Sequence, residues 1–311
     1  MKTKKLGSNG PEISVVGFGA WEAGGEAWGP NPPDDTTIAA IHAGIDSGMT
    51  WVDTAEVYGS GRSEELVGQA LAERDSVRVF TKLAPEGPGH GYERDQVRRG
   101  VEASLERLGR DAIDLYQLHW PDGRVPLEET WEAMAGLVDE GLVRWIGLSN
   151  YEQNDIERCE KIHHVDSLQP QFSMLHQAGR RDLFPFCRAN GTGVIAYGPL
   201  AFGLLTGAFN KDTKFTDDDW RGGKTPMNYY EDLFAPGKFE ENLDKVDSLR
   251  PTAERLNASP AQLALAWVSH QDGVTAAIAG SRSPKHVGEN AGGGDVTLED
   301  KDLEEIDSLL G

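Results

Sequence analysis

Two kinds of segment alternate along the chain: short apolar runs, and longer segments with apolar residues three or four positions apart. The short runs predict buried strands, and the longer segments predict amphipathic helices. The predicted strands are 13–20, 51–53, 77–82, 113–119, 143–149, 167–171, 193–197 and 274–280. The predicted helices are 36–47, 63–73, 94–108, 126–139, 153–162, 180–189, 240–256, 259–270, 283–291 and 298–310. Residues 2–13 precede them as a predicted hairpin with a turn at 7–10.

This alternation predicts the fold class. Eight strands, each followed by a helix, favour an α/β fold, a (β/α)8 TIM barrel with an N-terminal β-hairpin and extra C-terminal helices. An open doubly wound sheet would carry a glycine-rich phosphate loop after an early strand. Gly17-x-Gly19 lacks both the third glycine and the helix of that loop. We predict one domain over residues 1–311, with an insertion at about 207–239.

Charge and composition narrow the expected partners. The formal net charge is -21, so we do not expect the chain to bind nucleic acid or an anionic membrane. Such acidity is typical of proteins from saline habitats, and an ordinary acidic enzyme explains it equally well. No apolar run approaches the roughly 20 residues that a membrane helix needs. The N-terminus lacks the apolar core of a signal peptide, and Cys159 and Cys187 fall in predicted helices. A cytoplasmic protein without a disulfide framework is therefore expected.

Polar residues stand at or just beyond the carboxyl ends of successive predicted strands. They are Asp53, Lys82, His119, Asn150, Gln171 and Tyr197. Each one alone has an ordinary explanation, such as a solvated lysine or a structural histidine. In a parallel barrel, however, these strand ends meet on one rim, where barrel enzymes place their active sites. The sequence therefore predicts a functional site on that rim.

Tyr58, five residues after Asp53, gives this rim a candidate proton donor. A free phenol has a pKa of about 10, so we expect Lys82 to lower the pKa of Tyr58 and Asp53 to hold Lys82 charged. His119 could donate a hydrogen bond to a carbonyl oxygen. The set suits proton delivery to a carbonyl that accepts a hydride.

Other chemistries find less support in the sequence. No serine or cysteine nucleophile stands beside an evident base, and no metal-ligand spacing is present. His163 and His164 are adjacent, and we interpret them as surface residues.

Ordered sequence blocks over nearly the whole chain resemble the aldo-keto reductases. The blocks are Gly17-Phe18-Gly19-Ala20-Trp21, Asp53-Thr54-Ala55 with Tyr58-Gly59 and Ser63-Glu64, Phe80-Thr81-Lys82, Leu118-His119-Trp120-Pro121, Gly147-Leu148-Ser149-Asn150, Gln169-Pro170-Gln171-Phe172-Ser173, Ala196-Tyr197-Gly198-Pro199-Leu200, Gly203-Leu204-Leu205-Thr206-Gly207, and Gly280-Ser281-Arg282-Ser283-Pro284 with Glu289-Asn290. The resemblance implies a catalytic tetrad of Asp53, Tyr58, Lys82 and His119, with Tyr58 as the general acid.

The resemblance also implies a nicotinamide cofactor bound without a Rossmann domain. Ser149, Asn150 and Gln171 match the residues that bind the nicotinamide carboxamide, and Tyr197 matches the aromatic residue that stacks on the ring. The pyrophosphate is expected in the loop of Gly198, Pro199, Leu200, Ala201, Gly203 and Leu204. The adenosine and its 2′-phosphate are expected at Gly280, Ser281, Arg282, His286, Glu289 and Asn290. Ala20, Trp21 and Asp53 complete the expected cofactor contacts.

Two departures from the family pattern bear on the choice of cofactor. Ala208 stands where many relatives have a lysine, and His286 stands where glutamine or arginine is usual. Arg282 remains, and an arginine can hold a phosphate through two hydrogen bonds. We therefore expect NADP(H), with NAD(H) as a possible alternative. Relatives have an arginine in a similar insertion, so Arg221 is expected to reach the cofactor, and a surface salt bridge is the competing interpretation.

The substrate pocket is expected among aromatic residues of the barrel-top loops. The candidates are Trp21, Trp28, Tyr58, His119 and Trp120, together with the 207–239 insertion as a lid or pocket wall. The insertion contributes Trp220, Met227, Tyr229, Tyr230 and Phe234. These rings suit sugars and aromatic aldehydes alike, so the substrate is expected only to be a small carbonyl compound. A monomer and a homo-oligomer both remain open.

Three functions are compatible with the sequence. The intact tetrad favours an NADPH-dependent carbonyl reductase, working reversibly as an alcohol or sugar dehydrogenase. A cofactor-binding subunit that senses redox state, like the potassium-channel beta subunits, is the main alternative. A cofactor-independent lyase is disfavoured by the expected nicotinamide-binding residues.

Overall fold

An antiparallel hairpin precedes eight parallel strands that close into a barrel within the described residues 1–85, 91–223 and 231–311 of this computed structural model. The hairpin consists of β1 (Thr3–Lys5) and β2 (Glu12–Ser14). The barrel strands are β3 (Val16–Gly19), β4 (Trp51–Asp53), β5 (Arg78–Leu83), β6 (Ile113–Leu118), β7 (Val143–Ser149), β8 (Ser167–Gln169), β9 (Gly193–Ala196) and β10 (Val274–Ala279). Neighbours follow this order, and β10 pairs with both β9 and β3 to close the barrel.

Helices of the described residues follow the barrel strands along the chain. They are α1 (Asp34–Asp46), α2 (Arg62–Ala70), α3 (Arg94–Leu108), α4 (Leu127–Asp139), α5 (Gln153–Cys159), α6 (Leu183–Asn190), α7 (Glu231–Phe234), α8 (Lys238–Arg255), α9 (Pro260–His270), α10 (Pro284–Gly292) and α11 (Asp300–Leu310). None of these described helices combines the length and apolarity needed to cross a membrane.

The barrel interior has an apolar layer near the end at which the strands begin. Its buried side chains are Leu6, Ile13, Trp51, Phe80, Leu115, Ile195, Ala276 and Ile278. The hairpin contributes Leu6 and Ile13, which are fully buried. The Trp51 indole lies so close to Gly17 that a Cβ there would approach its ring to 2.1 Å. Asp53, Lys82, Gln117 and Gln169 lie in the interior beyond this apolar floor, towards the carboxyl ends of their strands.

The predicted barrel is confirmed, and three of the boundaries that differ from the prediction have a local explanation. The predicted strand 13–20 is divided, because Glu12–Ser14 pairs in the hairpin before the barrel strand starts at Val16. β8 stops at Gln169 because Pro170 has no N–H for the ladder. α6 starts three residues later than predicted, after Gly179 adopts a positive φ of 79°. The short helix α7 lies inside the segment predicted as an insertion.

Candidate active site

An ion pair between Asp53 and Lys82 lies at the carboxyl end of the barrel. Asp53 ends β4 and pairs in register with Phe80, so Lys82 stands two residues further along β5 on the same face. Lys82 Nζ donates to Asp53 Oδ1 at 2.6 Å and to the backbone carbonyl of Thr54 at 2.8 Å. Both charged side chains are almost completely buried. The expected pairing of these two residues is therefore present.

Burial acts against the charge of both partners. It raises the pKa of Asp53, and the Lys82 ammonium opposes that rise. It lowers the pKa of Lys82, and the Asp53 carboxylate opposes that fall. Each charge thus depends on the other, as expected for a buried ion pair, and loss of either partner would neutralise the one that remains.

Tyr58 lies beside this pair, in the loop after β4. Its hydroxyl is 3.5 Å from Lys82 Nζ, and the ammonium lies 5.2 Å from the centre of its ring. Burial raises the pKa of Tyr58 well above its ordinary value, and the negative charge of Asp53 adds to that rise. The expected net lowering of the Tyr58 pKa is therefore wrong for this structure, because burial and the Asp53 charge both raise it. Tyr58 is accordingly a neutral phenol with a proton to give.

His119 stands next to Tyr58 at the end of β6. Its ring meets the Tyr58 ring edge-on, with centroids 5.6 Å apart. Burial, reinforced by the Lys82 charge, lowers the pKa of His119 well below its ordinary value. Its Nδ1 has no hydrogen-bond partner among the described residues. A neutral imidazole carries one N–H, so His119 can donate one hydrogen bond without delivering a charge to the site.

Three of the four residues predicted to bind the nicotinamide are joined by hydrogen bonds. Tyr197 donates through its hydroxyl to Asn150 Oδ1 at 2.9 Å, and Asn150 Nδ2 donates to the backbone carbonyl of His119 at 3.0 Å. Ser149 Oγ donates to the carbonyl of Gln169 at 2.9 Å. Gln171 lies beyond the end of β8, in an isolated bridge with Tyr197. The contacts of all four residues with the nicotinamide stay predictions.

The predicted pyrophosphate loop has an unusual backbone. Ala201 and Phe202 have φ values of 46° and 54°, in the left-handed region that non-glycine residues rarely adopt. Gly203, at φ 105°, is required because a Cβ there would lie 2.8 Å from the Phe209 ring. Thr206 Oγ1 donates to the carbonyl of Gly203 at 2.6 Å and fixes the end of the turn. Such strain is typical of functional loops that tertiary contacts hold in place.

Arg221 holds this loop from outside. Its guanidinium donates twice to Asp219, at 2.9 Å and 2.6 Å, and once to the backbone carbonyl of Phe202 at 3.1 Å. It also lies over the rings of Trp28, Phe209 and Phe215. The alternative of a surface salt bridge is wrong, because both partners are largely buried. A direct contact between Arg221 and a cofactor stays a prediction.

The segment after β10 is predicted to hold the adenosine end of the cofactor. Arg282 donates to the carbonyls of Trp28 and Pro30 and to Asn31 Oδ1, at 2.7, 3.1 and 3.1 Å. Its Nε lies 3.7 Å from the carboxylate of Glu22. A cavity of about 420 Å³ is lined by Glu22, Pro30, Asn31, Pro32, Ser281, Arg282 and Ser283.

Neighbouring residues of this segment differ in exposure. His286 and Glu289 are exposed, whereas Asn290 is buried. Gly280 is required here, because a Cβ would lie 2.2 Å from the carbonyl oxygen of Gly19. The predicted cofactor contacts of this segment stay predictions.

The aromatic side chains of the predicted substrate pocket lie beside the tetrad, and their contact with a substrate stays a prediction. Trp21 meets Trp28 edge-on at 4.9 Å and lies 6.3 Å from the Tyr58 ring, measured between centroids. Trp120 lies 4.2 Å from the His119 ring and is 40% exposed. The insertion joins this cluster through Trp220, whose backbone N–H donates to Ala27 at 2.9 Å. Met227, Tyr229 and Tyr230 lie outside the described residues.

Sequence reasoning missed three site residues. Gln169 and Gln117 are buried beneath Asp53, and Glu22 faces Arg282. The two glutamines are polar residues at inward-facing positions of otherwise apolar strands, and this signal could have identified them. His163 and His164 are not simply surface residues: both are half-buried, and His164 Nδ1 lies 2.9 Å from Glu160. No group of metal-binding side chains occurs in the described ranges.

Comparison with known proteins identifies relatives of this chain. A sequence profile described as the Aldo/keto reductase family matches residues 15–310. Aldo-keto reductase YhdN of Bacillus subtilis (strain 168) is 34% identical over 318 residues, covering 100% of this chain and 94% of that protein. The solved glycerol dehydrogenase AKR11B4 of Gluconobacter oxydans has a TM-score of 0.88 at 32% identity, over 99% of this chain and 94% of its own. An aldo-keto reductase of Klebsiella pneumoniae, solved with NADPH, has a TM-score of 0.76 at 31% identity, over 99% and 95%.

These matches confirm the family resemblance, the barrel fold and the oxidoreductase class expected from the sequence. The profile covers nearly all residues, and a relative at 34% identity spans the whole chain. The chain therefore belongs to the aldo/keto reductase family.

Proposed function

We propose that this protein reduces the carbonyl group of a small aldehyde or ketone to an alcohol with NADPH, in a reversible reaction. One observation carries the proposal: a neutral Tyr58 hydroxyl lies 3.5 Å from Lys82 Nζ, and Lys82 is held by Asp53 at 2.6 Å. This arrangement places a protonated acid next to a cation that stabilises the anion left after proton transfer.

Each tetrad residue has one task in the proposed reaction. Tyr58 donates its proton to the substrate oxygen, and Lys82 stabilises the resulting phenolate until solvent returns a proton. Asp53 keeps Lys82 charged and oriented. The nicotinamide cofactor, when bound, supplies the hydride that the carbonyl carbon accepts. His119, neutral at working pH, orients the carbonyl oxygen through one hydrogen bond.

The described residues fit a nicotinamide dinucleotide. Ser149 and Asn150 supply hydroxyl and amide groups beside the aromatic ring of Tyr197, and the hydroxyl of that ring is fixed by Asn150. The strained turn after Gly198 and the cavity of about 420 Å³ at Arg282 suit the diphosphate and adenosine ends. The NADPH bound by the Klebsiella pneumoniae relative supports NADP(H) as the cofactor. Ala208 and His286 leave NAD(H) as a second possibility.

The aromatic pocket is compatible with several classes of substrate. Trp21 and the exposed Trp120 suit a sugar, a polyol or an aromatic aldehyde, since indole faces accept all three, and the buried Trp28 supports Trp21 from behind. The glycerol dehydrogenase among the relatives supports small polyhydroxy compounds and the oxidative direction as well. A cytoplasmic location, one domain over residues 1–311 and a small molecule as the main partner remain part of the proposal.

The experiment that tests this proposal is a turnover assay. Loss of NADPH absorbance is followed with a panel of aldehydes, ketones and sugars, and gain of absorbance is followed with the corresponding alcohols and NADP⁺. We expect at least one carbonyl compound to be reduced faster than the background rate. Failure of every compound, with NADPH binding intact, would favour the redox-sensing alternative. Failure to bind either nicotinamide dinucleotide would refute the proposal.

A further inference from the structure

Two tyrosines converge on the backbone carbonyl of Trp120, in the loop after β6. Tyr92 Oη donates to this oxygen at 3.0 Å, and Tyr151 Oη donates to it at 3.2 Å. A carbonyl oxygen has two lone pairs, so it can accept both hydrogen bonds. Tyr92 Oη also lies 3.2 Å from the carbonyl oxygen of Leu83, and the Trp120 oxygen is the nearer of the two. Both lone pairs of the Trp120 carbonyl therefore have a donor.

The two tyrosines come from opposite sides of β6. Tyr92 precedes α3 in the loop after β5, and Tyr151 follows β7. These two strands are the neighbours of β6 in the barrel. Both tyrosines are almost completely buried, and Thr130 Oγ1 of α4 donates to the carbonyl of Tyr92 at 3.1 Å. The backbone of Trp120 is therefore held from both sides by loops that are themselves packed against the barrel.

Both phenols keep the proton that they donate. Burial raises the pKa of Tyr92 and that of Tyr151 above the ordinary value of about 10, so neither hydroxyl ionises near neutral pH. Buried tyrosine hydroxyls usually find a partner, but in this barrel not all of them do. Tyr116 Oη, buried on β6, has no partner among the described residues. Burial of tyrosine in this region therefore does not by itself explain why two hydroxyls pair with one carbonyl.

His119 and Trp120 are adjacent, but different groups hold them. The N–H of His119 donates to the carbonyl of Leu83 at 2.9 Å, and its carbonyl accepts from Asn150 Nδ2 at 3.0 Å. Trp120 is held by the two phenols and by Pro121, which disfavours a helical backbone at the residue before it. Its exposed indole lies beside the His119 ring. Loss of the hydroxyls should therefore loosen the indole while His119 keeps its position.

We propose that Tyr92 and Tyr151 are positioning residues that fix the backbone of Trp120 and so determine which carbonyl compounds the pocket accepts. The compounds affected are aromatic aldehydes, whose flat ring can stack on an indole face. A small aliphatic aldehyde has no ring to place there, so its reduction should not depend on the two hydroxyls. This inference rests on the proposed carbonyl reduction. Both tyrosines act through Trp120 and take no part in proton transfer.

The test compares wild type with Tyr151→Phe and with the double variant of Tyr92→Phe and Tyr151→Phe, which keep the rings and remove the hydroxyls. For benzaldehyde at saturating NADPH, we expect KM to rise about threefold to tenfold in the double variant, the range typical of a lost hydrogen bond, and less in Tyr151→Phe. We expect kcat and the NADPH dissociation constant to change by less than about threefold. The KM for the smallest aliphatic aldehyde that the turnover panel shows to be reduced should stay within about twofold.

Two comparisons separate this role from a general structural one. In a Trp120→Ala background, the same two substitutions should leave the KM for benzaldehyde unchanged, because the indole that they position is gone. Tyr116→Phe is the matched control, since it removes a buried hydroxyl that has no partner among the described residues, and it should leave both KM values unchanged. Tyr151→Phe is the cleaner single variant, because the Tyr92 hydroxyl also lies against the backbone of His119. It provides the test by itself if the double variant does not fold.

An unchanged ratio of the two KM values in the double variant would overturn the inference while the proposed function stands. An equal rise for both aldehydes, or a rise that persists without the Trp120 indole, would also overturn it, by showing that the tyrosines act on the site in general. A wild type that reduces aliphatic but not aromatic aldehydes would overturn it as well. A wild type that reduces no carbonyl compound would refute the proposed function and this inference together.

Discussion

Arg282 donates a hydrogen bond from Nη2 to the backbone carbonyl of Trp28 at 2.7 Å, so the segment after β10 holds the segment after β3. The same guanidinium faces the cavity at which the adenosine 2′-phosphate is proposed to bind. If the 2′-phosphate binds there as proposed, Arg282 links the choice of cofactor to the position of the Trp28 segment.

Arg282→Leu should weaken NADPH binding at least tenfold and NADH binding much less, because only NADPH carries the phosphate that the guanidinium can hold. Titration of tryptophan fluorescence with each nucleotide measures both affinities. Arg188→Leu is the control, since Arg188 makes an exposed ion pair with Asp272. Equal weakening of both nucleotides would contradict the phosphate contact and assign Arg282 to holding Trp28 alone.

Glu22→Gln should strengthen NADPH binding severalfold at neutral pH. The Glu22 carboxylate lies 3.7 Å from Arg282, so it competes with a phosphate for the same cation. Burial raises the pKa of Glu22, so the wild-type carboxylate is protonated at higher pH than an ordinary glutamate. The difference between variant and wild type should therefore shrink as pH falls. Glu26→Gln, in the same segment and exposed, should show no such gain.

Tyr58→Phe should abolish turnover while nucleotide affinity stays within about threefold, because the ring is kept and only the proton donor is removed. Single-turnover rates and fluorescence titration separate the two effects. Wild-type turnover in this variant would show that another group is the acid.

His119 should make the folded state less stable at low pH. Its folded-state pKa is far below the ordinary value of about 6.5, so below that pH only the unfolded chain takes up the proton. The melting temperature should therefore fall as pH drops below about 6.5, and His119→Gln should flatten this dependence. His176 and His270 have pKa values lowered in the same direction by burial, so His176→Gln serves as a comparison. Identical slopes for wild type and His119→Gln would contradict the prediction.

Gly17→Ala should destabilise the barrel by about 1–3 kcal/mol or more, because the added Cβ would meet the Trp51 ring at 2.1 Å. Replacing Trp51 with leucine should recover part of that loss, so the two changes should not add in a double-mutant cycle. Gly136→Ala is the control, because nothing lies within 4 Å of its Cβ and a helix favours alanine. Additive effects of Gly17→Ala and Trp51→Leu would show that the contact with the indole is not the cause.

The sequence predicted the barrel and the juxtaposition of Asp53 with Lys82, because both depend on short-range regularities. Strand periodicity and parallel register bring residues at the strand ends to one rim. The raised pKa of Tyr58 was not predictable in the same way, because it reflects how much water the folded site excludes, and strand spacing carries no information about that.

Contacts between loops that are distant in the sequence could not be predicted from the sequence pattern either. The hydrogen bonds of Arg282 to Trp28 and Pro30 join residues more than 250 positions apart, and neither segment has a regular period. Gln169 could have been predicted as a site residue, since it is polar at an inward-facing position of β8. Gln171 was predicted instead, because the predicted strand ran past Pro170 to that residue.

The apolar floor of the barrel also has a consequence for proton transfer. It consists of Trp51, Phe80 and Leu115 and is covered by the hairpin residues Leu6 and Ile13. Protons do not cross a dry hydrocarbon layer without polar groups to carry them. We therefore expect the proton that recharges Tyr58 to arrive from the carboxyl end of the strands, on the side of the exposed Trp120, where the substrate is proposed to bind. Reprotonation of Tyr58 and exchange of product for substrate then take place from the same side of the barrel. Slow release of the product would therefore delay both.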